Sequence, residues 1–505
     1  MTKHERQRDS PESEQHYTLL NGKVIADIEI SRKMQRIHDR HPEQAYQEDS
    51  TGYTWDESGM ADLFAECYEE DTRYCPEAKS WYTYDGCAWV KDKESLLVAA
   101  KIKEFSRLVS LYCVEIEDES VREKYTKFTA KLGDRRFRDR IQKDAIDLLT
   151  ISAETFDADP YLINCQNGTW DLDSMTFREH DWRDFLTFRT NFSYALNGLD
   201  IRCDRWEQFI SEICEGDSDK AEYLQMALGY SMLGLAQEEC MFILHGRTTR
   251  NGKSTLLNTV QHLLGDYADV AKVELICHQR GASSANQATP ELARLKGKRF
   301  VTMAESDSAG KLDESAIKQY TGGERISARN LYESAFSFTP QFTLWLSCND
   351  LPAVRDRSLF ASDRLRVIEF NRHFTQAEQD KTLKQVFESQ DAMPGIFTWL
   401  LAGWFKYRGR GLTMPAKLQK VVDKYHKDND LVLQFLEDRC VQDPDGRIKQ
   451  KDLYELYKIW CRGCGYRNLS AQKFKAELMM HPDWISGDIK VHGYPHYVGV
   501  KYAGK

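Results

Sequence analysis

Residues that can hold a phosphate group lie together between positions 246 and 255 of the chain. Glycines let a backbone approach an anion closely, a lysine ammonium adds a positive charge, and a hydroxyl after the lysine can bind Mg²⁺. An apolar segment, 241–245, precedes these residues and a helical pattern follows them, so loop amides and a helix N-terminus would meet there. We therefore predict a P-loop that binds the phosphates of a nucleotide, formed by Gly246, Arg247, Thr248, Thr249, Arg250, Asn251, Gly252, Lys253, Ser254 and Thr255.

The spacing of this loop departs from the usual P-loop at one point. Residues 247–251 separate Gly246 from Gly252, whereas the usual motif has one residue fewer between its glycines. The first glycine is therefore either displaced by one position or not needed. The departure is also compatible with an alternative, in which the protein is a binding module with a degenerate nucleotide site. In that case, Lys253→Ala would leave the behaviour of the protein unchanged.

Hydrolysis of a bound nucleotide needs a carboxylate near the metal ion and a group that positions water. The apolar segment 298–304 ends at Glu305, which we predict to be a general base or metal ligand, with Asp307 beside it. Ser254, Glu305 and Asp307 would together hold the Mg²⁺ that accompanies ATP. A further apolar segment, 343–348, ends at Asn349, whose amide could orient the attacking water or sense the γ-phosphate.

The elements that must position these residues alternate between strands and helices from 241 to about 375, which indicates an α/β sheet. Helical spacing at 204–235 predicts two helices around Gly216-Asp217, and Asp85-Gly86 predicts a hairpin. Helices at about 415–441, 450–465 and 470–480, followed by strands at 489–492 and 496–500, have the order of a winged helix. We expect a mobile leader (1–50) with a short strand at 24–30, an N-terminal α+β region (51–200), a helical collar (201–240), a motor (241–408) and a winged-helix-like DNA-binding domain (411–505).

The composition restricts where nucleic acid could bind. The chain of 505 residues is 41% hydrophobic, enough for packed cores, and its formal net charge is −10, so any nucleic-acid surface must be local. The basic run at 122–143 is better explained as a solvated helix face than as such a surface. No apolar run approaches the ~20 residues that span a bilayer, and the N-terminal residues lack the apolar core of a signal peptide. We expect a cytoplasmic protein with no membrane partner.

These motifs resemble those of the superfamily 3 helicases, and more closely the helicase half of phage and plasmid primase-helicases, which are relatives of the poxvirus primase-helicase. The resemblance lies in 246–255, in the strand ending at Glu305, and in the segments 318–329 (KQYTGGERISAR) and 348–352 (CNDLP). Glu324 stands where the family commonly has Asp. The resemblance covers about residues 55–500. It implies a P-loop NTPase core of the AAA+ type with ATP and Mg²⁺ as cofactors, assembled as a homo-oligomer, typically a hexamer.

The resemblance also implies roles for residues beyond the P-loop. Asn349 becomes the nucleotide sensor, and Arg364 is our choice for the arginine finger that acts on a neighbouring subunit, with Arg366 and Arg357 in reserve. In the family, a hairpin within 325–338 tracks single-stranded DNA, although its aromatic residues could instead pack inward. The C-terminal lysines would contact duplex or forked DNA, unless that domain serves packing or oligomerisation. The predicted DNA contacts are Arg329, Asn330, Tyr332, Lys473 and Lys475.

We therefore expect an ATP-dependent, ring-forming DNA helicase that replicates a phage, plasmid or integrated mobile element in a bacterial host. Single-stranded or forked DNA is the expected partner, together with a separate primase or replication-initiation protein. One alternative is an origin-binding or loading ATPase that switches with nucleotide and does not unwind processively. Another is a bifunctional primase-helicase, for which the candidate metal-binding carboxylates are Asp157 with Asp159 and Asp171 with Asp173.

Overall fold

The computed structural model describes residues 17–20, 23–44, 52–194, 201–278, 289–304, 310–331, 335–354 and 358–503. The chain divides into two compact units, Met1–Arg189 and Thr190–Lys505. The first unit combines helices with small antiparallel sheets, and the second is built around a parallel sheet. The finer division predicted from the sequence stays a prediction.

The first unit has five α-helices among its described residues: α1 (Asp27–His38), α2 (Glu57–Tyr68), α3 (Leu96–Leu111), α4 (Glu119–Thr129) and α5 (Arg135–Leu148). Its strands form three antiparallel sheets, β1-β2, β3-β4-β5 and β6-β7-β8. The strands are β1 (Tyr17–Leu20), β2 (Lys23–Ala26), β3 (Thr72–Cys75), β4 (Ser80–Tyr84), β5 (Trp89–Lys91), β6 (Leu162–Asn164), β7 (Thr169–Asp171) and β8 (Thr176–Arg178).

Local sequence signals explain two features of this unit. The carboxylate of Asp56 accepts the amide of Gly59 at 3.0 Å and so caps the start of α2. The predicted hairpin at Asp85-Gly86 is confirmed, since β4 and β5 pair antiparallel on either side of it. The carboxylate of Asp85 accepts the backbone N–H groups of Cys87 and Ala88, which closes the turn.

The N-terminal expectation is wrong where the structure describes it. The predicted strand at 24–30 ends at Ala26, because α1 begins at Asp27. The described part of the predicted mobile leader is folded and anchored through α1. Lys33 forms an ion pair with Glu104 at 3.1 Å, and the guanidinium of Arg36 pairs with Glu70. These partners are distant in sequence, so a local hydropathy pattern could not show them.

The second unit contains a five-stranded parallel sheet and further helices. Its described helices are α6 (Asp204–Ile213), α7 (Ser218–Tyr230), α8 (Lys253–Leu264), α9 (Pro290–Arg294), α10 (Glu314–Thr321), α11 (Ser358–Ala361), α12 (Leu383–Phe387), α13 (Met393–Arg410), α14 (Ala416–Asp428), α15 (Leu431–Arg439), α16 (Gln450–Gly463) and α17 (Ala471–Leu478). Its described strands are β9 (Met241–His245), β10 (Ala268–Val270), β11 (Phe300–Ala304), β12 (Ile326–Ala328), β13 (Phe336–Phe338), β14 (Thr343–Cys348), β15 (Leu365–Glu369), β16 (Cys440–Lys449), β17 (Gly487–Val491) and β18 (Tyr494–Tyr502).

The parallel sheet has the order β10-β11-β14-β9-β15, and all neighbouring strands run in the same direction. Every residue of β9 is buried, which explains its uninterrupted apolar sequence. The carboxyl ends of β9, β14 and β15 therefore lie side by side at one edge of the sheet. The prediction of an α/β fold is confirmed. The two helices predicted around Gly216-Asp217 are α6 and α7.

The C-terminal part corrects the sequence prediction in two places. The helix expected over about 415–441 is broken between α14 and α15, where the carboxylate of Asp430 accepts the amide of Leu433 and begins a new helix. Strand β16 was not predicted, because its residues are mostly polar and do not alternate regularly with apolar ones. Together, α15, β16, α16, α17, β17 and β18 enclose an aromatic core, with the ring centroids of Tyr457 and Phe474 4.5 Å apart.

Within the described residues, no helix combines the length and the apolar character needed to cross a membrane.

Candidate nucleotide-binding site

The predicted P-loop connects the buried strand β9 to helix α8, at the carboxyl edge of the parallel sheet. Gly252 precedes the first helical residue with φ +86°, a left-handed conformation that favours glycine. A methyl group at Gly252 would also overlap Cγ2 of Ile213. Because Gly252 has no side chain to cap the helix, the first amides of α8 are left for an external acceptor. A helix start of this kind binds anions such as phosphate.

Gly246 lies at the other end of the loop, where the backbone approaches the end of β15. A methyl group there would overlap the carbonyl oxygen of Phe370 and lie 2.6 Å from Nδ2 of Asn251. A larger residue at this position would therefore push the loop away from the sheet. This close approach argues against the alternative that the first glycine is not needed.

The residue that makes this loop longer than the usual motif is accommodated at the loop tip. Arg250 has φ +57°, and its carbonyl oxygen accepts the amide of Phe374 at 2.9 Å. The carbonyl oxygen of Thr249 accepts a hydrogen bond from Nδ1 of His373 at 2.8 Å. The segment that leaves β15 thus supports the tip, so the additional residue does not disturb the ends of the loop. This support could not be predicted, because no motif marks the residues after β15.

Lys253 connects three parts of the predicted site. Its buried ammonium donates to the carbonyl oxygens of Gly246 at 2.9 Å and Cys348 at 2.7 Å, and to Oδ1 of Asn349 at 3.2 Å. An ammonium has three hydrogens, so a phosphate oxygen must replace one of these acceptors. Asn349 is exposed and makes the longest of the three bonds. Its amide is therefore the acceptor that can most readily give way to a ligand.

The side chains predicted to hold Mg²⁺ are only partly described. Ser254 is exposed in the first turn of α8, and its hydroxyl has no hydrogen-bond partner among the described residues. Such a free hydroxyl beside the loop suits a metal-bound phosphate. Glu305 and Asp307 lie outside the described residues. The strand that precedes them, β11, ends at Ala304 and is the direct neighbour of β14. Among the described residues, no group of three His, Cys, Asp or Glu side chains forms a metal-binding cluster.

Arg364 lies away from the P-loop, because it precedes β15 and therefore sits at the amino edge of the sheet. Its guanidinium pairs with the carboxylate of Glu239 at 2.5 Å and donates to Oγ1 of Thr321 at 2.8 Å. A finger would act on another subunit, so its role stays a prediction. Arg366, held in reserve, pairs with Glu238 at 3.8 Å, and Arg357 lies outside the described residues.

The predicted DNA-tracking hairpin is present as the antiparallel pair β12 and β13, in which Ala328 faces Phe336. Arg329 and Asn330 follow β12 and are partly buried, and Tyr332 lies outside the described residues. The amide of Arg329 donates to Oγ1 of Thr289 at 3.1 Å. Phe338 is buried in the core beside the sheet, in agreement with the alternative in which aromatic residues of this segment pack inward.

The other predicted contacts are separate from this site. Lys473 and Lys475 are exposed on α17, and the ammonium of Lys475 lies 3.0 Å from the carboxylate of Asp488 on β17. Two of the candidate carboxylates for a primase accept hydrogen bonds within the first unit, one from a distant residue and one from its own turn. Asp157 accepts the amide of Thr187, and Asp171 accepts the amide of Asp173 and the hydroxyl of Ser174. Hydrogen bonds within the fold thus account for both.

Lys220 was not among the predicted site residues, but it contacts two residues that border the loop, Ile213 and Phe370. It lies in the first turn of α7, and only 8% of its surface is exposed. Its ammonium donates to the carbonyl oxygen of Ile213 at 3.3 Å and lies 4.9 Å from the ring centroid of Phe370. Burial lowers the pKa of Lys220. No motif surrounds this lysine, so nothing in the sequence distinguished it from a solvated one.

Three family models match the chain in succession. Residues 61–215 match "D5 N terminal like", 244–364 match "Family of unknown function (DUF5906)", and 427–501 match "Poxvirus D5 protein-like". The first and third of these models describe D5 proteins, so the chain is similar to the D5-type primase-helicases at both ends of the matched region. The resemblance proposed from the P-loop and its following motifs is thereby confirmed.

Three curated proteins that are similar to the chain come from DNA viruses. "Putative helicase L207/L206" of Acanthamoeba polyphaga mimivirus is 27% identical over 75% of this chain and 43% of its own length. "Putative helicase 022R" of Frog virus 3 is 27% identical over 50% of this chain and 27% of its own length. "Putative primase C962R" of African swine fever virus is 20% identical over 61% of this chain and 33% of its own length. The chain thus spans less than half of each of these relatives.

Among solved structures, the apo form of the NrS-1 C terminal region is similar to the chain, with 13% identity and a TM-score of 0.47. The similarity covers 85% of this chain and 96% of that one.

Proposed function

We propose that this D5-type chain is an ATP-dependent, ring-forming DNA helicase motor that acts in the replication of a virus or another mobile DNA element. The observation that carries the proposal is the contact of Lys253 with both ends of its site, the P-loop carbonyl of Gly246 and the amide of Asn349. A lysine held between a phosphate loop and a polar strand end is what nucleotide hydrolysis requires. The names of the viral helicase relatives agree with this activity.

The parallel sheet supports an AAA+ type core, as the resemblance to superfamily 3 helicases implied. Strand β9, which leads into the P-loop, lies between β14 and β15, so Asn349 follows the strand next to Lys253. The acid expected at Glu305 would follow β11, the neighbour of β14 on its other side. This order brings the predicted lysine and amide to one edge of the sheet.

In the proposed reaction, the first amides of α8 and the ammonium of Lys253 bind the phosphates of ATP, and Asn349 releases the lysine as it turns toward the γ-phosphate. Ser254 and Glu305 would hold Mg²⁺, which neutralises charge on the phosphates. Arg364 of a neighbouring subunit would stabilise charge on the phosphoryl group that is transferred. Hydrolysis would then move the β12–β13 hairpin along one DNA strand.

The C-terminal elements support a winged-helix-like DNA-binding domain within this proposal. Helices α15, α16 and α17 alternate with a three-stranded antiparallel sheet of order β16-β18-β17. Lys473 and Lys475 lie on α17, where both are exposed. We assign α17 the role of contacting duplex or forked DNA through phosphate groups.

A primase function is a weaker candidate for this chain. The African swine fever virus relatives carry the word primase in their names, but the chain matches only a third of their length. Of the candidate primase carboxylates, Asp157 accepts the amide of the distant Thr187 and Asp171 accepts an amide of its own turn. Synthesis of primers from ribonucleotides on a single-stranded template would show that the chain has both activities.

The proposal is tested by measuring ATP hydrolysis with and without single-stranded DNA, for the native chain, Lys253→Ala and Arg364→Ala. We expect DNA to stimulate hydrolysis and both substitutions to abolish it. Mixing the two variants should restore part of the activity, because some interfaces then pair an intact lysine with an intact arginine. Hydrolysis that ignores DNA would favour the loading ATPase, and an inactive native chain would refute the proposal.

A further inference from the structure

Lys220 differs from Lys253 in how its charge is satisfied. The ammonium of Lys253 has three oxygen acceptors, whereas the carbonyl oxygen of Ile213 is the single acceptor for Lys220 among the described residues. The ring of Phe370 contributes a cation–π contact. No carboxylate of the described residues lies within ion-pairing distance of Lys220. Two of its three N–H donors therefore remain for a ligand.

This arrangement is unfavourable for folding alone. A buried ammonium without a carboxylate at ion-pairing distance loses its hydration. The more distant charges of Glu215, Asp217 and Glu369 offset only part of this loss, in agreement with the lowered pKa of Lys220. An apolar side chain of similar length would fill the same space without this cost. Contacts within the fold therefore do not fully offset the free energy that is lost when this ammonium is removed from water.

The two residues that hold Lys220 are also the residues that touch the ends of the P-loop. Cγ2 of Ile213 occupies the space beside Gly252, and the carbonyl oxygen of Phe370 occupies the space beside Gly246. Lys220 therefore shares one neighbour with each end of the loop in which the phosphates of a nucleotide would bind. A second cation at this position would complement a ligand with several negative charges.

We propose that Lys220 is a further binding residue of the nucleotide site and that its ammonium contacts a phosphate oxygen of a nucleoside triphosphate. The inference rests on the proposed function, because it assumes that the P-loop binds ATP. It adds a contact from α7, outside the P-loop motif. The collar helix would thereby sense whether the site is filled.

The experiment compares Lys220→Met with the native chain and with Lys381→Met, which removes an exposed lysine that has no contact with the site. Binding of ATP and of adenosine is measured by competition against a fluorescent ATP analogue, and thermal midpoints are recorded without ligand. We expect Lys220→Met to bind ATP about tenfold more weakly. Its affinity for adenosine should be unchanged, and its thermal midpoint should equal or exceed that of the native chain.

Each other outcome would overturn the inference. Unchanged ATP affinity would place Lys220 outside the site. An equal loss for adenosine would mean a contact with the nucleoside, and a lowered midpoint would mean a structural role. Lys253→Ala distinguishes this failure from failure of the proposed function. If the native chain binds ATP and Lys253→Ala does not, only the role of Lys220 is in question, whereas a native chain that binds no ATP refutes both.

Discussion

Replacement of Gly252 by alanine separates the two reasons why a glycine is needed at the start of α8. The left-handed φ of +86° costs a residue with a Cβ about 1–2 kcal/mol. The overlap of the new methyl group with Cγ2 of Ile213 adds about 1–3 kcal/mol, because Ile213 is fully buried and has little space to move. We therefore expect Gly252→Ala to destabilise the second unit by about 2–5 kcal/mol.

Gly216 provides a matched control. It has φ +75°, but nothing lies within 4 Å of a methyl group placed there. Gly216→Ala should therefore show the conformational cost without the overlap, about 1–2 kcal/mol. For a unit of roughly 300 residues, 1 kcal/mol corresponds to about 2 °C in the unfolding midpoint. We expect shifts of about 2–4 °C for Gly216→Ala and about 4–10 °C for Gly252→Ala.

A second substitution tests whether the overlap is the cause. Ile213→Leu removes the branch at Cβ that carries Cγ2 and changes the side-chain volume little, so alone it should cost less than about 1.5 kcal/mol. In the double variant, the overlap disappears and the combined loss should be at least about 1 kcal/mol smaller than the sum of the single losses. Differential scanning calorimetry of the native chain and the four variants measures these shifts. Equal midpoints for the two alanine variants, or strictly additive losses in the double variant, would refute the argument.

Three further outcomes follow from described contacts. Asn349→Ala should lower the turnover number for ATP about 10- to 100-fold with little change in KM, since the amide is assigned to the reacting phosphate; an unchanged turnover in steady-state kinetics would exclude that role. Asp488→Asn should raise the affinity for DNA, because it frees the ammonium of Lys475. The slope of log K against log salt concentration should steepen by up to about one unit. A salt titration with forked DNA measures this slope, and an unchanged slope would show that α17 does not contact the DNA. Asp56→Ala should cost about 1 kcal/mol at pH 7. The amide of Gly59 lowers the pKa of Asp56, so this stabilisation exists above the unfolded pKa near 4 and is lost as the pH falls through the folded value; the two proteins should therefore unfold alike at pH 2, and a pH-independent difference would contradict the cap.

The parallel sheet and the loop between β9 and α8 could be predicted because their signals are local. The first four residues of the buried strand β9 are apolar, and Gly252-Lys253 follows after a short polar loop. Asn349 could be placed at the same edge because parallel strands end together. In each case the residues that carry the signal also form the element that positions them.

Features that depend on distant partners could not be predicted in this way. Helix α1 is held by Lys33 and Arg36, whose acidic partners lie in or next to other helices. The extra residue of the P-loop is supported by His373 and Phe374, more than a hundred positions away along the chain. Lys220 is singled out by its contacts with Ile213 and Phe370, and no pattern in the sequence indicates these contacts.

Arg364 illustrates what a single chain can establish about a residue expected to act between subunits. Its partner Glu239 has 52% of its side chain exposed, so the ion pair is worth about 0–1 kcal/mol, and the bond to Thr321 adds about 1 kcal/mol. A phosphate oxygen accepts a charge-assisted hydrogen bond that is roughly twice as strong as a neutral one. Breaking the contacts with Glu239 and Thr321 therefore costs little free energy compared with what a contact to a phosphate in a neighbouring site would supply. The resting pair with Glu239 is therefore compatible with the proposed finger role, in which the guanidinium of Arg364 would exchange Glu239 for a phosphate oxygen of a nucleotide bound by a neighbouring subunit.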